Sequence, residues 1–389
     1  MYMNMIRTIH NAGCGSFCTE SFYLPRRCKG RYFNMVYDCG SSDMEKEVRQ
    51  EASNYFAHFG NIDILFISHF DKDHVNGIKA LRRYMDNKTK VILPFFEDSY
   101  RLLSAKRFFH YYFDLVDYFH QNEIQTIFIS ADSDNNNERP IDIRELERNN
   151  MYSSGSVFKL MEDYFIWEYI PFNIQEHVDI NSVKDICKEK GITDNELEDC
   201  IMHHQISDEM MEKLKEVYED QRIKRYSETT RSNMSSMLLI SKESALCQVK
   251  NSSIHIQKGW HTDINTNMIN LSYSSIDNYI EKASCLYTGD AGLRKDEYFD
   301  IVLKYYRKHL PNGAGIMQIP HHGTVHYYPK NIFNQINMEM AFVNITLSSS
   351  SPLFYAQIPL DFANKHIPLY IVAQEPYSKI ENSVELYTL

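Results

Sequence analysis

The segment IDILFIS, residues 62–68, constrains the fold more than any other stretch, because nearly every side chain in it is apolar. A strand of this composition is buried on both faces, and such strands occur where helices cover the sheet. Helical periodicity precedes it at residues 44–59 and follows it at 77–85, and further apolar segments lie at 89–94 and 285–290. This alternation of strand and helix predicts an α/β fold.

The middle of the chain has a different character. Residues 96–230 are rich in Tyr, Phe and acidic side chains and contain several segments with helical periodicity. In one of them Thr193 is followed three residues later by Glu196, the spacing of a capping box at a helix start. We therefore predict that segments 1–95 and 231–389 build the α/β domain and that 96–230 is a mostly helical insertion or subdomain.

The net charge of −11 over 389 residues argues against a chain that holds nucleic acid through its overall electrostatic field. A local basic groove is compatible with that charge, because net charge says little about a single cleft. One basic cluster near the first hairpin either binds phosphates or is an ordinary solvated loop. Its members are Arg26, Arg27, Lys29 and Arg31.

Cell location and redox state follow from what the sequence lacks. No apolar run approaches the roughly 18 residues that a membrane-spanning helix needs, and the first residues are too polar for a signal peptide. We therefore expect a soluble, cytoplasmic protein with no membrane partner. Eight cysteines are scattered without a CxxC pair, as expected for reduced thiols. A zinc site that uses Cys14 and Cys18 is the alternative.

Three apolar strands each end in side chains that bind metal ions. Strand ends meet at one edge of an α/β sheet, which is the usual place for a ligand. A carboxylate such as Asp290 can contact two ions through its two oxygens. Together the motifs predict a dinuclear metal site, although each motif alone could be a solvated turn. The candidate ligands are His69, Asp71, Asp73, His74, Asp290, His321 and His322.

The motif SHFDKDHVNG resembles the HxHxDH signature of metallo-β-lactamase-fold hydrolases, with Asp71 in place of the second histidine. The later TGDA and IPHHGT motifs, with the early GCGS and YDCGSS segments and SNMSSMLLIS, are similar to the branch found in ComEC-type DNA-uptake competence proteins. The resemblance covers roughly residues 5–95 and 230–345. It implies a four-layer αββα sandwich of two facing sheets with helices outside.

The resemblance also implies roles for individual residues. One ion would be held by His69 and Asp71, the second by Asp73, His74 and one histidine of the HHG motif, with Asp290 bridging. Between the two histidines of that motif we favour His321 as the ligand. The remaining predicted roles are catalysis by Asp73 as general base, substrate contacts by His322, Thr324, Asn233 and Ser236, and support of the metal loop by Asp38.

Two divalent ions are the predicted cofactors. The third imidazole usual in the first site has no clear counterpart, and only position in the chain suggests His203, His204 or His261. A site rich in carboxylate oxygens shifts preference from zinc toward manganese, with magnesium as a further candidate.

These features predict a metal-dependent hydrolase. Our preferred function is a phosphodiesterase or nuclease that uses a metal-activated hydroxide on a nucleic acid or nucleotide, with a role in antiviral defence against foreign DNA. Aromatic side chains in residues 108–120 either stack on bases or belong to the core. The alternatives are hydrolysis of a thioester, lactone or lactam, and a non-catalytic interaction module. The insertion is the predicted surface for a protein partner or for self-association.

Overall fold

A computed structural model gives the fold of this chain. It describes residues 2–24, 31–95, 115–131, 139–147, 150–162, 165–174, 180–196, 208–220, 236–262, 271–324, 327–329, 331–346, 357–374 and 378–388. None of the helices in these ranges is long and apolar enough to cross a membrane.

The described ranges contain both strands and helices. The strands are β1 Tyr2–Ile9, β2 Gly15–Leu24, β3 Arg31–Ser41, β4 Ile64–Phe66, β5 Lys90–Pro94, β6 Gln125–Ser130, β7 Ile141–Asp142, β8 Met151–Ser153, β9 Phe158–Glu162, β10 Phe165–Asn173, β11 Met237–Glu243, β12 Cys247–Thr262, β13 Leu271–Tyr279, β14 Cys285–Tyr287, β15 Ala314–Gln318, β16 Met338–Ile345, β17 Leu369–Ala373 and β18 Lys379–Thr388. The helices are α1 Glu45–Phe59, α2 Lys72–Val75, α3 Ile180–Glu189, α4 Asp208–Glu219, α5 Asp296–His309, α6 Ile332–Gln335 and α7 Gln357–Asn364. Shorter 3-10 helices lie at Ile78–Tyr84, Ile143–Glu145 and His321–Gly323.

The first sheet is built around a parallel core. Strands β3, β4, β5, β6 and β8 pair in parallel in that order. Strand β2 pairs antiparallel with β3, and β1 pairs antiparallel with both β2 and β18. Parallel strands need crossover connections, and α1 supplies the crossover between β3 and β4.

The second sheet repeats this plan with later parts of the chain. Strands β14, β15, β16 and β17 pair in parallel, and β11, β10 and β9 extend the sheet through antiparallel pairs. Strand β12 joins the two sheets, because its first part pairs with β18 and its last part with β17.

Side chains that alternate along the strands divide the core into three clusters. Tyr37 on β3 belongs to the cluster between the two sheets, whereas its neighbour Val36 packs with α1. Leu239 on β11 also faces the other sheet, whereas Leu238 packs with α5. Alternation of this kind is the period of an extended strand with both faces covered. The described residues form a mixed α/β sandwich, which confirms the predicted α/β class.

The range 96–230 contributes more strand than the sequence analysis predicts. Its described residues include strands β6 to β10, which extend both sheets, as well as helices α3 and α4. Segments such as FIWEYIPFN in β10 carry aromatic side chains that favour strands, and pairing with β11 satisfies their backbone groups. The capping box is confirmed, since Glu196 N donates to Thr193 Oγ1 and Thr193 N donates to Glu196 Oε2. The proposed domain limits stay a prediction.

A fully buried ion pair links the two sheets. Arg7 on β1 lies 2.7 Å from the Glu20 carboxylate on β2, and both side chains are inaccessible to solvent. From the second sheet, Ser241 and Tyr287 donate hydrogen bonds to the same carboxylate at 2.7 and 3.0 Å. Tyr169 adds a third at 3.1 Å. Charges removed from water in this way are tolerated only when they are paired and hydrogen bonded.

Replacing Arg7 tests this link. Arg7→Met should lower the free energy of unfolding by about 3–5 kcal/mol, because Glu20 is then buried without its counter-charge. Urea denaturation followed by circular dichroism measures the change. Lys250→Met, which removes a partly exposed partner of Glu385, is the control and should cost less than about 1 kcal/mol. Equal losses in the two variants would contradict the interpretation.

Candidate metal centre

The HFDKDH motif lies in the loop after β4 and continues into α2. The backbone is extended at Asp71, and a short helix then carries Asp73 and His74. Its backbone is held against β3, because Gly77 N donates to Cys39 O at 2.8 Å. The change from extended to helical backbone aims the two pairs of side chains in different directions.

Backbone hydrogen bonds bring the other two motifs to this loop. His321 N donates to Gly289 O at 3.1 Å, which joins the HHG turn to the TGD turn. Met237 N donates to Ser68 O at 2.8 Å, which joins the start of β11 to the residue before His69. The ends of β4, β14 and β15 therefore meet at one place, as the sequence predicts.

Two glycines permit this close approach. A Cβ atom at Gly40 would lie 2.7 Å from the backbone of Asp73 and His74. Gly289 has a φ of +51°, and a Cβ there would lie 2.8 Å from the Cβ of Ser68. Both distances are too short for a side chain, so the metal loop can pack directly on β3 and on the TGD turn only where glycine is present.

Three site residues adopt a left-handed backbone conformation that is unusual for non-glycine residues. They are Asp38, His321 and His322, with φ values of 54°, 46° and 53°. At Asp38 the pairing of β2 with β3 contains an extra residue, a β-bulge that turns the carboxylate out of the sheet. Strained conformations of this kind persist where surrounding contacts hold them, and they cluster at functional sites.

Four residues form a candidate metal-binding cluster: Asp73, His74, Asp290 and His322. One ligand atom from each lies within 4.8 Å of the other three. His74 Nε2 is 3.2 Å from Asp290 Oδ1, and His322 Nε2 is 3.4 Å from Asp73 Oδ2. We call Asp73, His74 and His322 the second group.

A further set lies on the other oxygen of the same aspartate. Asp290 Oδ2 is 3.7 Å from His69 Nε2 and 3.5 Å from His321 Nε2. Asp71 Oδ2 lies 4.0 Å from His69 Nε2. We call His69, Asp71 and His321 the first group. Asp290 thus lies between two groups of ligand-type atoms, with one oxygen directed at each.

The two adjacent histidines separate between these groups, which differs from the predicted assignment. His322, predicted to contact substrate, lies beside Asp73 in the second group. His321, predicted to bind the second ion, faces the first group and stacks on Tyr327 at a centroid distance of 3.8 Å. His321 thereby adds a second imidazole to the first group, for which the sequence suggested only His69 and Asp71. Positive φ at both positions sends consecutive side chains to opposite sides of Asp290.

Partners of the Nδ1 atoms determine which nitrogen each histidine presents to the cluster. His74 Nδ1 lies 2.8 Å from Asp38 Oδ2, an acceptor, so it carries the proton. Ser68 Oγ donates to the same oxygen and therefore accepts from His69 Nδ1 at 2.9 Å. His322 Nδ1 donates to the Asn344 carbonyl at 3.0 Å. In their neutral forms these imidazoles present a lone pair at Nε2, the atom directed at Asp290 or Asp73.

Other predicted site residues lie next to the imidazoles. Thr324 Oγ1 is hydrogen bonded to His321 Nδ1 at 2.8 Å, and Ser236 Oγ lies 3.4 Å from His69 Nδ1. Their predicted contacts with substrate stay a prediction. Asp38 contacts His74 Nδ1, and its predicted supporting role stays a prediction as well. Ser68 and Asn344 were not predicted, because a lone serine and a backbone carbonyl belong to no motif.

Burial and neighbouring charges act on the ionisation of the cluster. Burial lowers the pKa of His69 to about 4, and the charge of His74 adds to the effect. Burial opposes the charged form of His74 too, but Asp290 and Asp38 outweigh it and raise its pKa well above the ordinary value. The pKa of Asp290 falls well below its ordinary value, because His321 and His74 outweigh the cost of burial. A divalent cation can take the place of the proton on His74.

The donor atoms fit a divalent cation. His69 Nε2 is buried and forms no hydrogen bond within the described part of the chain. Buried polar atoms without such partners are uncommon, and a bound ion is one of the standard explanations. Imidazole nitrogens and carboxylate oxygens together suit zinc or manganese.

Not every residue singled out from the sequence belongs to the described ranges. Asn233, His203, His204 and the basic residues Arg26, Arg27 and Lys29 lie outside the described residues, as do residues 108–114 of the aromatic segment. His261 belongs to β12, and its side chain is likewise not described. Cys14 and Cys18 are buried free thiols. Neither belongs to the metal-type cluster found among the described residues.

Comparison with known proteins gives a weak structural likeness. No protein-family model matches the chain, and no curated protein matches it. Among solved structures it is similar to the native FEZ-1 metallo-beta-lactamase from Legionella gormanii, with 11% sequence identity and a TM-score of 0.20. The match covers 55% of this chain and 73% of that one. At this TM-score the likeness does not identify a function.

Asp38→Asn tests whether Asp38 orients the cluster. The amide keeps the size of the side chain but loses the charge that holds His74 Nδ1–H, so we expect divalent-metal affinity to fall by roughly 10–100-fold. Competition with a fluorescent chelator on metal-stripped protein measures the affinity. Asp361→Asn on α7, where the carboxylate accepts a local hydrogen bond from Gln357, is the matched control. Wild-type affinity in a folded Asp38→Asn protein would refute the assigned role.

Proposed function

We propose that this protein is a metal-dependent hydrolase of the metallo-β-lactamase fold that cleaves phosphodiester bonds in nucleic acids or nucleotides. The observation that carries the proposal is the Asp290 carboxylate, which directs one oxygen at each of two groups of imidazoles and carboxylates. A shared carboxylate between two such groups is the arrangement that two-metal hydrolases use. The α/β sandwich with helices packed on both outer faces is compatible with the implied four-layer fold.

The proposed ion-binding residues follow from the two groups. His69, Asp71 and His321 would hold one divalent ion, and Asp73, His74 and His322 would hold the second, with Asp290 common to both. Such ions supply Lewis acidity, which lowers the pKa of a water molecule and neutralises phosphoryl charge. Because four imidazoles and three carboxylates make up this ligand set, manganese or zinc is the proposed metal. The ComEC-type branch stays a prediction.

Asp73 is the proposed catalytic carboxylate. Its side chain is 23% exposed, whereas that of Asp290 is 2% exposed, so Asp73 lies on the open side of the cluster. Burial opposes its ionisation, but the hydrogen bond from His322 and the charge of His74 lower its pKa to about 2. A carboxylate that stays ionised accepts a hydrogen bond from the attacking water and orients it toward the phosphorus.

A basic cavity next to the metal loop favours phosphodiesters over carbonyl substrates. It has a volume of about 200 Å³, and its lining includes three cationic side chains and one carboxylate. Lys72, Val75 and Asn76 of its lining belong to the loop and short helix that also carry Asp73 and His74. Such a site suits the phosphates that flank the cleaved bond. Its charged members are Glu45, Arg49, Lys72 and Lys79. Defence against foreign DNA stays a prediction.

Asp290→Ala tests the reaction. Loss of a residue that supports a metal ligand typically lowers metal affinity or activity by about 10–100-fold. Loss of the shared carboxylate itself should therefore lower activity by more than about 100-fold. The assay is hydrolysis of bis(p-nitrophenyl) phosphate with added Mn²⁺, using Asp361→Asn as the control. The same enzyme is offered a thioester and a β-lactam. Hydrolysis of only these carbonyl compounds, or full phosphodiesterase activity in Asp290→Ala, would overturn the proposal.

The basic cavity has a separate test. Lys72→Met combined with Lys79→Met should raise KM for single-stranded DNA at least about tenfold at low salt, because two phosphate contacts are lost. The kcat for bis(p-nitrophenyl) phosphate, which has no flanking phosphates, should stay within about twofold. The paired control is the same assay on Lys365→Met, a change of charge on an exposed residue of the turn after α7. An unchanged KM for DNA would exclude this cavity from substrate binding.

A further inference from the structure

A second cavity lies at the opposite edge of the first sheet. Its volume is about 490 Å³, within the range of small-molecule sites. Lys90 begins β5 and pairs with Ile64, whereas His69 lies five residues beyond Ile64. The cavity is lined from the amino ends of the parallel strands, and none of its lining residues belongs to the metal-type cluster, which follows their carboxyl ends. The two sites are therefore distinct.

The lining of this cavity has two chemical halves. One half is apolar and buried and consists of Leu24, Phe33, Ile143 and Leu160. The other half carries four cationic side chains and one carboxylate, namely Arg31, Lys88, Lys90, Arg144 and Asp63. Arg31 pairs with Asp63, and Arg144 pairs with Asp142, which lies outside the lining. Even with Asp142 counted, the cationic side chains outnumber the carboxylates by two.

Lys90 is the unusual member of this lining. The residue is 8% exposed, and its ammonium donates to two neutral acceptors, Gln125 Oε1 and the Leu146 carbonyl. No carboxylate among the described residues lies within ion-pair distance of it, in a chain whose net charge is −11. A partly buried ammonium without a carboxylate partner has lost part of its hydration, and an anion in the cavity would offset that loss.

We propose that this cavity binds an organic phosphate monoester with an apolar or aromatic body, the size of a nucleoside monophosphate. The phosphate contacts Lys90 and the cationic rim, and the body packs against Phe33 and its apolar neighbours. A dianion suits the surplus of two positive charges better than a carboxylate does. The lowered pKa of Lys90, which results from burial, agrees with an ammonium that has no ionic partner in the described chain.

This inference does not depend on the proposed hydrolase activity, and one titration separates the two sites. Metal-stripped protein is titrated calorimetrically with adenosine 5′-monophosphate, phenyl phosphate, inorganic phosphate and adenosine. We expect the first two to bind, phosphate alone to bind more weakly, and adenosine to show no binding. Lys90→Met should weaken the affinity for the nucleotide at least about tenfold, because it removes a charge-assisted hydrogen bond to the phosphate.

Three variants complete the test. Lys88→Gln changes an exposed lining residue without risk to folding and should weaken binding of the nucleotide by a smaller factor. Lys365→Met removes an equal charge elsewhere, and Asp290→Ala disrupts the metal cluster. Both should bind as the wild type does. The proposal is overturned if the wild type binds no phosphate monoester, if Lys90→Met and Lys88→Gln both bind normally, or if Asp290→Ala abolishes binding.

Discussion

The carboxylate of Asp290 is the constraint on which the site depends. It is buried among four imidazoles that come from two separate loops, and a charge in that position is stable only with cationic or polar partners around it. Because those loops follow strands of both sheets, the sheets have to bring their edges together within hydrogen-bonding distance. The buried pair of Arg7 and Glu20 holds the same two sheets together deeper in the core.

Backbone strain and close packing are concentrated where these loops meet. Asp38, His321 and His322 have left-handed φ values, and glycines at 40 and 289 allow backbone contact that no side chain would permit. The oriented imidazoles are the consequence, since each Nδ1 meets a fixed partner and each Nε2 is directed inward. A preorganised ligand set of this kind loses little conformational entropy when a cation binds.

The parallel strands give the first sheet two chemically different edges. Its carboxyl edge carries carboxylates and imidazoles, which attract cations. Its amino edge carries Lys90 and a rim of cationic side chains, which attract anions. The separation follows from strand direction, because residues before and after each parallel strand collect at opposite edges. Ligands of opposite charge can therefore be held on one sheet without competing.

The sequence by itself determined the α/β class, the capping box at Thr193, and which residue types gather at the strand ends, because these depend on local periodicity and short motifs. Tertiary structure alone decided that His321 and His322 face different groups, since that depends on two backbone angles that no spacing reveals. It also decided that β6 to β10 join the sheets and that Thr324 and Ser236 lie against imidazoles. Those outcomes depend on contacts between residues far apart in the chain, and local patterns contain no information about them.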